Sequence, residues 1–338
     1  MMENREFDAL VVFEDVHHGF HRVLARKCIS ELPAGDVVIQ VSYSSLNYKD
    51  ALAASGNRGV TRKYPHTPGI DAAGIIVASV DPAWRIGDEV ICTGYDLGMN
   101  TSGGYGQYIR VPSNWVVRKP HGLSLLESMQ LGTAGFTAAQ SLLHLERNAI
   151  TPAKGPILVT GATGGVGTVA LLLLHKLGYE VIAVTGKVSE HASLTALGAT
   201  TVLDRQQLLA GTEKQLLPAR WAGAIDTVGG DVLAAAIKST DFDGVVTCCG
   251  NVASGGLSLS VYPFILRGVH LIGVYSANCP MEKRMLLWRK LAHEWKLDGL
   301  SGISRVVKLG QLNEEIEAML AGRSKGRCVV DLEVGREH

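Results

Sequence analysis

GPILVTGATGGVGTVALLLLHKLG, residues 155–178, decides the fold of this chain. The apolar run Ile157-Leu158-Val159 meets Gly161, Gly164, Gly165 and Gly167 within seven residues, and a long apolar segment broken only by His175 and Lys176 follows. That order predicts a buried strand, a tight glycine turn and a helix. Against the dinucleotide fingerprint G-x-G-x-x-G, Ala162 takes the place of the first glycine, and Gly164 and Gly167 those of the second and third. Gly164 lets the backbone approach a pyrophosphate and Gly167 lets the helix pack on its strand. The N–H groups of 162–167 (Ala162, Thr163, Gly164, Gly165, Val166, Gly167) and the positive end of the helix hold the phosphates.

Outward from this stretch the pattern alternates. Strands are predicted at 157–160, 180–184, 201–203, 224–227, 244–248 and 270–274, with helices at 166–177, 191–197 and 232–238 between them. Strands alternating with helices predict an α/β unit, a doubly wound parallel sheet covered on both faces. Further amphipathic helices are predicted at 286–297 and 312–320. Before residue 124 the chain reads as short strands and turns. Strands fall at 7–12, 37–41 and 89–92, a turn at 33–36, another at Gly87-Asp88 between strands at Trp84-Arg85-Ile86 and 89–92, and a glycine-rich approach to a strand ending near Val111.

The 338 residues are enough for two domains with separate cores. Lysine plus arginine equals aspartate plus glutamate, so no global field recruits nucleic acid or an anionic membrane. Cys28, Cys92, Cys248, Cys249, Cys279 and Cys328 form no C-x-x-C and no regular spacing, as reduced thiols of a cytoplasmic protein would. The charged start MMENREFDALVVFEDV lacks the apolar run of a signal peptide, and the longest apolar stretch is too short to span a bilayer.

Five blocks carry a family resemblance: Ser45-Leu46-Asn47-Tyr48-Lys49-Asp50, Pro68-Gly69-Ile70-Asp71-Ala72-Ala73-Gly74, Gly87-Asp88-Glu89-Val90, Gly132-Thr133-Ala134-Gly135-Phe136-Thr137-Ala138 and the glycine turn itself. With them the chain resembles the medium-chain dehydrogenase/reductase superfamily, and within it the quinone-oxidoreductase-like branch that includes bacterial acrylyl-CoA reductases. The resemblance implies a β-rich GroES-like catalytic domain over 1–126 and 298–338, and a Rossmann-type NADPH-binding domain over 127–297. It also departs from the zinc enzymes of that superfamily. Ser44-Ser45-Leu46-Asn47 and Gly69-Ile70-Asp71 stand where those place a cysteine and a Gly-His-Glu motif. The soft ligands zinc prefers are missing, His66 is a lone histidine, the four-cysteine lobe is absent, and no metal is expected.

NAD-binding units of this fold carry an acid about twenty residues past the fingerprint. Here the second strand runs into Thr185-Gly186-Lys187, a hydroxyl, a backbone N–H and an ammonium, which suit a 2′-phosphate. The resemblance adds Arg205 as a second cation, so the expected cofactor is NADPH rather than NADH. It also implies Tyr48 and Thr137 at the nicotinamide, and Asn251, Ile265 and Ser276 along the rest of the cofactor.

Without a Lewis acid, an activated double bond is the easier target. The expectation is NADPH-dependent reduction of a short α,β-unsaturated acyl thioester such as acrylyl-CoA, with hydride going to the β-carbon. Tyr48 is the expected donor to the developing enolate, because a phenol is neutral at pH 7 and still gives a proton. Asn47 and Asp50 match the family's Asn-x-x-Asp pattern and orient that loop; the sharper alternative makes Asp50 a general base. Arg58, Arg62, Lys63 and Arg284, with Lys283, are candidates for the phosphates of coenzyme A. Two alternatives stand beside this reading: a quinone or enone reductase, and a non-catalytic NADPH-binding protein of the zeta-crystallin type. The last strand of the sheet, 269–274, would expose an unpaired edge, and relatives pair it across a two-fold axis, so a homodimer is expected.

Overall fold

Strand and helix alternate from residue 157 onwards because short strands, most of them rich in valine, isoleucine, leucine or alanine, are followed by turns or loops and then helical segments. The computed structural model describes residues 3–15, 17 and 19–333; residues 1–2 and 334–338, the extremes of the expected catalytic domain, lie outside the described residues. The chain folds as two units. The first comprises 1–133, 277–292 and 299–338, and the second 134–276 and 293–298.

The first unit opens with β1 (Glu6–Asp15), β2 (Gly19–Cys28), β3 (Val37–Ser45), α1 (Tyr48–Ala54), β4 (Asp71–Ser79), β5 (Glu89–Thr93), β6 (Tyr108–Val111) and β7 (Val116–Arg118). The next helix, α2 (Leu125–Arg147), leaves helical geometry at Gly132, with φ 52°. The second unit then runs β8 (Ile157–Thr160), α3 (Gly165–Lys176), β9 (Val181–Thr185), α4 (His191–Ala196), β10 (Thr201–Asp204), α5 (Arg205–Leu209), β11 (Trp221–Asp226), α6 (Gly230–Lys238), β12 (Thr240–Cys248), α7 (Tyr262–Arg267) and β13 (His270–Gly273). The chain returns to the first unit through α8 (Met281–Ala292), β14 (Ser304–Lys308), α9 (Leu312–Leu320) and β15 (Arg327–Asp331).

In the second unit the strand order is β10-β9-β8-β11-β12-β13, all parallel. Every residue of β8 and β11 is buried, as strands covered on both faces must be. The order reverses between β8 and β11, which opens a crevice at their carboxyl ends. In the first unit β14-β15-β3-β4-β5-β7 form one sheet, with β6 also paired to β3, over a core that includes Ile39, Val41, Ile76, Tyr105 and Val330. β1 and β2 form a separate hairpin.

Three sequence expectations shift. Trp84-Arg85-Ile86 forms a turn, closed by Trp84 N–H to Asp81 and Asp88 N–H to Arg85, rather than a strand. The helix expected at 286–297 runs from Met281 to Ala292. Trp295 and Leu297 are buried beyond its end, so the apolar spacing continues where the helix does not. Finally, β2 and β15 were not expected from the pattern: β2 groups His-Arg, Val-Leu-Ala and Arg-Lys with no two-residue period and no buried residue, and β15 starts on an arginine.

Candidate functional site

In the second unit the glycine turn links β8 to α3. Gly161 carries the tight turn, at φ +60°, where a Cβ would lie 2.3 Å from the Thr227 hydroxyl. That task was expected of Ala162, which is instead buried and donates its N–H to Val184 of β9 at 3.0 Å. Gly164 is the N-cap of α3, and Gly167 sits where a Cβ would be 2.3 Å from the Gly161 carbonyl. Helix and strand therefore approach more closely than any side chain allows. The first-turn N–H groups, from Gly165, Val166 and Gly167, have no partner inside the helix and point out of its positive end.

Next to this turn β9 ends in buried Thr185, whose hydroxyl accepts the Lys187 N–H at 3.0 Å and meets the Thr163 hydroxyl at 3.4 Å. Thr185 faces Asp204 in the β9–β10 register, and Asp204 caps α5, with its carboxylate accepting the Gln207 N–H at 2.8 Å. Arg205 is therefore the first residue of α5, and its guanidinium lies over Gly186, where a Cβ would be 2.9 Å from it. Lys187 and Arg205 are thus brought together at the tip of β9, with no acid from Thr185 to Lys187. Asn251 is exposed in the loop after β12 and Ser276 is half-buried after β13, both beyond carboxyl ends of the sheet. Ile265 is exposed on α7, while Thr137 is buried on the second segment of α2, its carbonyl accepting the Ser141 hydroxyl.

The first unit builds something different around α1. Tyr48 is its first residue and is 41% exposed, so its phenol is open to a ligand. Asn47 is the N-cap. Its N–H donates to the Asp50 carboxylate at 2.9 Å, and Asp50 also accepts the Ile70 N–H at 2.8 Å. Asp71, paired with Thr93 in the β4–β5 register, lies close by. Its carboxylate accepts from the Ser45 hydroxyl at 2.6 Å, the Asn47 amide at 2.8 Å, and the Thr133 N–H and hydroxyl at 2.9 and 2.5 Å. Arg327 of β15 completes the cluster, donating to the Ser45 hydroxyl at 2.9 Å, the Asn47 carbonyl oxygen at 3.2 Å and the Gln130 carbonyl at 3.0 Å. Both ends of the Asn47 amide are thereby assigned, oxygen to the guanidinium and nitrogen to the carboxylates. Gly132 breaks α2 where a Cβ would lie within 2.7 Å of Ser45, Asp71 and Arg327, which makes room for the network.

Asp50 and Asp71 are fully buried. Desolvation, with the Asp71 charge second, pushes the Asp50 carboxyl up to about 7, against the opposing pull of the two N–H donors. Burial likewise lowers Arg327 from its ordinary value, while the Asp71 charge raises it. Ser45, Asn47 and Ile70 hold the positions where the zinc motif was expected to be replaced, and a guanidinium already sits on that polar group. A hydroxyl, an amide, an alkyl chain and the Asp71 carboxylate, which already accepts four hydrogen bonds beside a bound cation, do not fit a catalytic zinc. Among the described residues no group of three or more histidines, cysteines and acids could hold a metal. His66 is buried, its Nε2 at 2.8 Å from the Gly98 carbonyl, and desolvation lowers its pKa.

The basic candidates separate. Arg284 is buried, its guanidinium donating to the Thr93 carbonyl and hydroxyl and the Ala277 carbonyl and lying over the Tyr95 ring, which ties α8 to β5 and removes it from the surface. Arg58 pairs with Glu14 and the Arg62 carbonyl and packs on the Phe20 and Tyr64 rings. Arg62 and Lys63 are exposed. Asp71, Thr133 and Arg327 were not anticipated as part of the site. The signal for Arg327 was a charge opening the apolar run Cys328-Val329-Val330, but nothing local connects it to residue 47.

A GroES-like fold carrying a nucleotide-type sheet with this glycine turn defines a dehydrogenase/reductase. The chain belongs to the medium-chain dehydrogenase/reductase superfamily, in its quinone-oxidoreductase-like branch. Residues 33–121 match the alcohol dehydrogenase GroES-like domain and 165–292 the zinc-binding dehydrogenase family. Among individual proteins, it is similar to the acrylyl-CoA reductase of Ruegeria pomeroyi, 40% identical over 327 residues, covering 96% of this chain and 99% of that one. It is also similar to a quinone oxidoreductase-type protein of Bacillus subtilis, YhfP, 45% identical over 303 residues (89% and 92%). The crystal structure of YhfP with NAD bound superposes with a TM-score of 0.94, at 42% identity over 97% of this chain and 100% of that one. That of Escherichia coli K-12 YhdH with bound NADPH gives 0.93, at 40% identity over 96% and 100%. No helix among the described residues is long and apolar enough to cross a membrane.

Proposed function

We propose that this oxidoreductase uses NADPH to reduce the activated C=C bond of a short α,β-unsaturated acyl thioester, of the acrylyl-CoA to propionyl-CoA type. The observation that carries the cofactor is the tip of β9, where Lys187 and Arg205 flank Gly186, residues 185–187 carry no carboxylate and the neighbouring Asp204 carboxylate is taken up by the α5 cap. The N–H groups of the α3 first turn bind the pyrophosphate. Asn251, Ile265, Ser276 and Thr137 are the remaining cofactor contacts.

Bound NADPH supplies the hydride. The chain's own residues then answer the charge that develops on the thioester oxygen. Tyr48 donates its phenolic hydrogen bond there and gives the proton for the α-carbon. Asn47 and Asp50 cap α1 and so set where Tyr48 stands, and Asp71 and Arg327 fix Asn47. Asp50 works by holding rather than by reacting, since its carboxylate accepts two backbone N–H groups inside the fold. Arg62 and Lys63 remain as basic groups for the phosphates of coenzyme A.

The likeness over nearly the whole length of the Ruegeria enzyme supports the thioester; the Bacillus likeness supports a second reading, a quinone or enone acceptor at the same site. Initial rates with NADPH against acrylyl-CoA and 1,4-benzoquinone decide between them. The expected outcome is a higher kcat/KM for the thioester, with Tyr48→Phe reducing kcat by about a hundredfold. A wide preference for the quinone, or a fully active Tyr48→Phe enzyme, overturns the first reading. The protein works in the cytoplasm as a homodimer joined through the open edge of β13. Light scattering at micromolar concentration that finds a monomer would refute the dimer.

A further inference from the structure

The crevice of the second unit opens where the strand order reverses, between β8 and β11, and one side chain ties those two strand ends together. Asp226 is the last residue of β11 and is fully buried. Its Oδ1 accepts the hydroxyl of Thr160, the last residue of β8, at 2.6 Å. Its Oδ2 accepts the N–H of Gly229 at 2.9 Å and of Val228 at 3.3 Å. The Thr227 N–H donates to the Thr160 hydroxyl at 3.1 Å, and the Thr227 hydroxyl donates to the Thr160 carbonyl at 3.0 Å. The Asp226 carbonyl accepts the Cys249 N–H at 3.0 Å and its thiol at 3.3 Å, which brings in the loop after β12. The fit is tight: a Cβ at Gly250 would be 2.1 Å from the Thr227 carbonyl.

All three donors to this carboxylate are neutral, and desolvation raises its pKa. A buried negative charge adds nothing to the holding of an anionic nucleotide. What the side chain supplies is geometry, two acceptor oxygens on opposite sides of the switch point.

We infer that Asp226 is a positioning residue for the nucleotide, its side chain fastening the glycine turn after β8 to the loop after β11 at the mouth of the crevice. The inference rests on the NADPH reading. Loss of the cross-link lets these segments move apart and weakens the nucleotide while leaving the acceptor's own contacts alone. Charge is dispensable, because an amide can turn its oxygen to the Val228 and Gly229 N–H groups and its nitrogen to the Thr160 oxygen, which keeps the strand-to-strand link with the direction of the Thr160 bond reversed.

Fluorescence titration of the full-length protein with NADPH tests this, together with the KM of the acceptor at saturating NADPH. Asp226→Ala is expected to raise the NADPH Kd at least about tenfold, with the acceptor KM within about twofold, and Asp226→Asn to stay within about threefold of wild type. Thr160→Val, which removes only the bridging hydroxyl, raises the Kd several-fold and carries the test if Asp226→Ala does not fold. Wild-type Kd in Asp226→Ala or Thr160→Val overturns the inference. So does an Asp226→Asn protein as weak as Asp226→Ala, or a change confined to the acceptor KM. A wild-type protein that binds no NADPH defeats the functional reading itself, and is told apart by needing no variant.

Discussion

The two units build their candidate sites by opposite means. In the second unit the work falls to backbone: glycines bring main chain close, N–H groups at a helix start face outward, and the cations Lys187, half-buried, and Arg205, exposed, stand at the rim. In the first unit it falls to side chains sunk out of water, where Asp50, Asp71 and Arg327 are all nearly or fully buried and are linked through Ser45, Asn47 and Thr133. Exposed charges bind strongly only when a ligand brings the opposite charge, and cost little when empty. Buried charges must be satisfied at all times, so they rigidify the fold around Tyr48 whether or not a ligand is there.

The sharpest way to break that contrast is to remove the buried cation. Arg327→Leu leaves the Asp71 charge and the Asn47 carbonyl without their partner and is expected to lower stability by about 3–5 kcal/mol in urea unfolding. A loss below about 1 kcal/mol would mean that the network is no more costly to break than a surface pair. At the exposed rim, stability should hardly move and affinity should. Lys187→Ala and Arg205→Ala are each expected to weaken NADPH by about tenfold and NADH by less than about twofold, measured as Kd. Equal weakening of both nucleotides would place the two cations away from the 2′-phosphate.

A third effect lies in pH. The Asp50 carboxyl sits at about 7 in the fold against an ordinary value of 3.8, so burial favours its neutral form in the folded chain. Its contribution to stability is therefore complete below 3.8 and is lost as pH rises through about 7. Between pH 5 and 8 the unfolding free energy of wild type should fall more steeply than that of Asp50→Asn. Parallel slopes would show that Asp50 does not carry the proton. The absolute stability of the variant is lower, because one of the Asn47 and Ile70 N–H groups loses its acceptor.

Much of this was legible in one dimension. The glycine turn, the strand-helix alternation after it and the helix from Leu312 to Leu320 follow from residues adjacent in the chain, because hydrophobic period and turn chemistry are local properties. The same holds for the Asn47–Asp50 cap, a four-residue motif. The first-glycine task moved from Ala162 to Gly161 since positive φ, unlike a spacing, is read only from coordinates. Arg284 and Arg205 look alike as letters. One is spent on Thr93 and Ala277 inside the fold, while the other is laid across Gly186 at the surface.

What the sequence determined by itself, then, was the class of fold, the nucleotide turn and the residue types that favour a phosphorylated cofactor, all set by neighbours within a few positions. Tertiary structure alone decided that Arg327 meets Asn47 from 280 positions away, and that Asp226 fastens two strands 66 apart. A buried charge is tolerable only where distant elements bring it partners, and no local pattern records which distant elements those are.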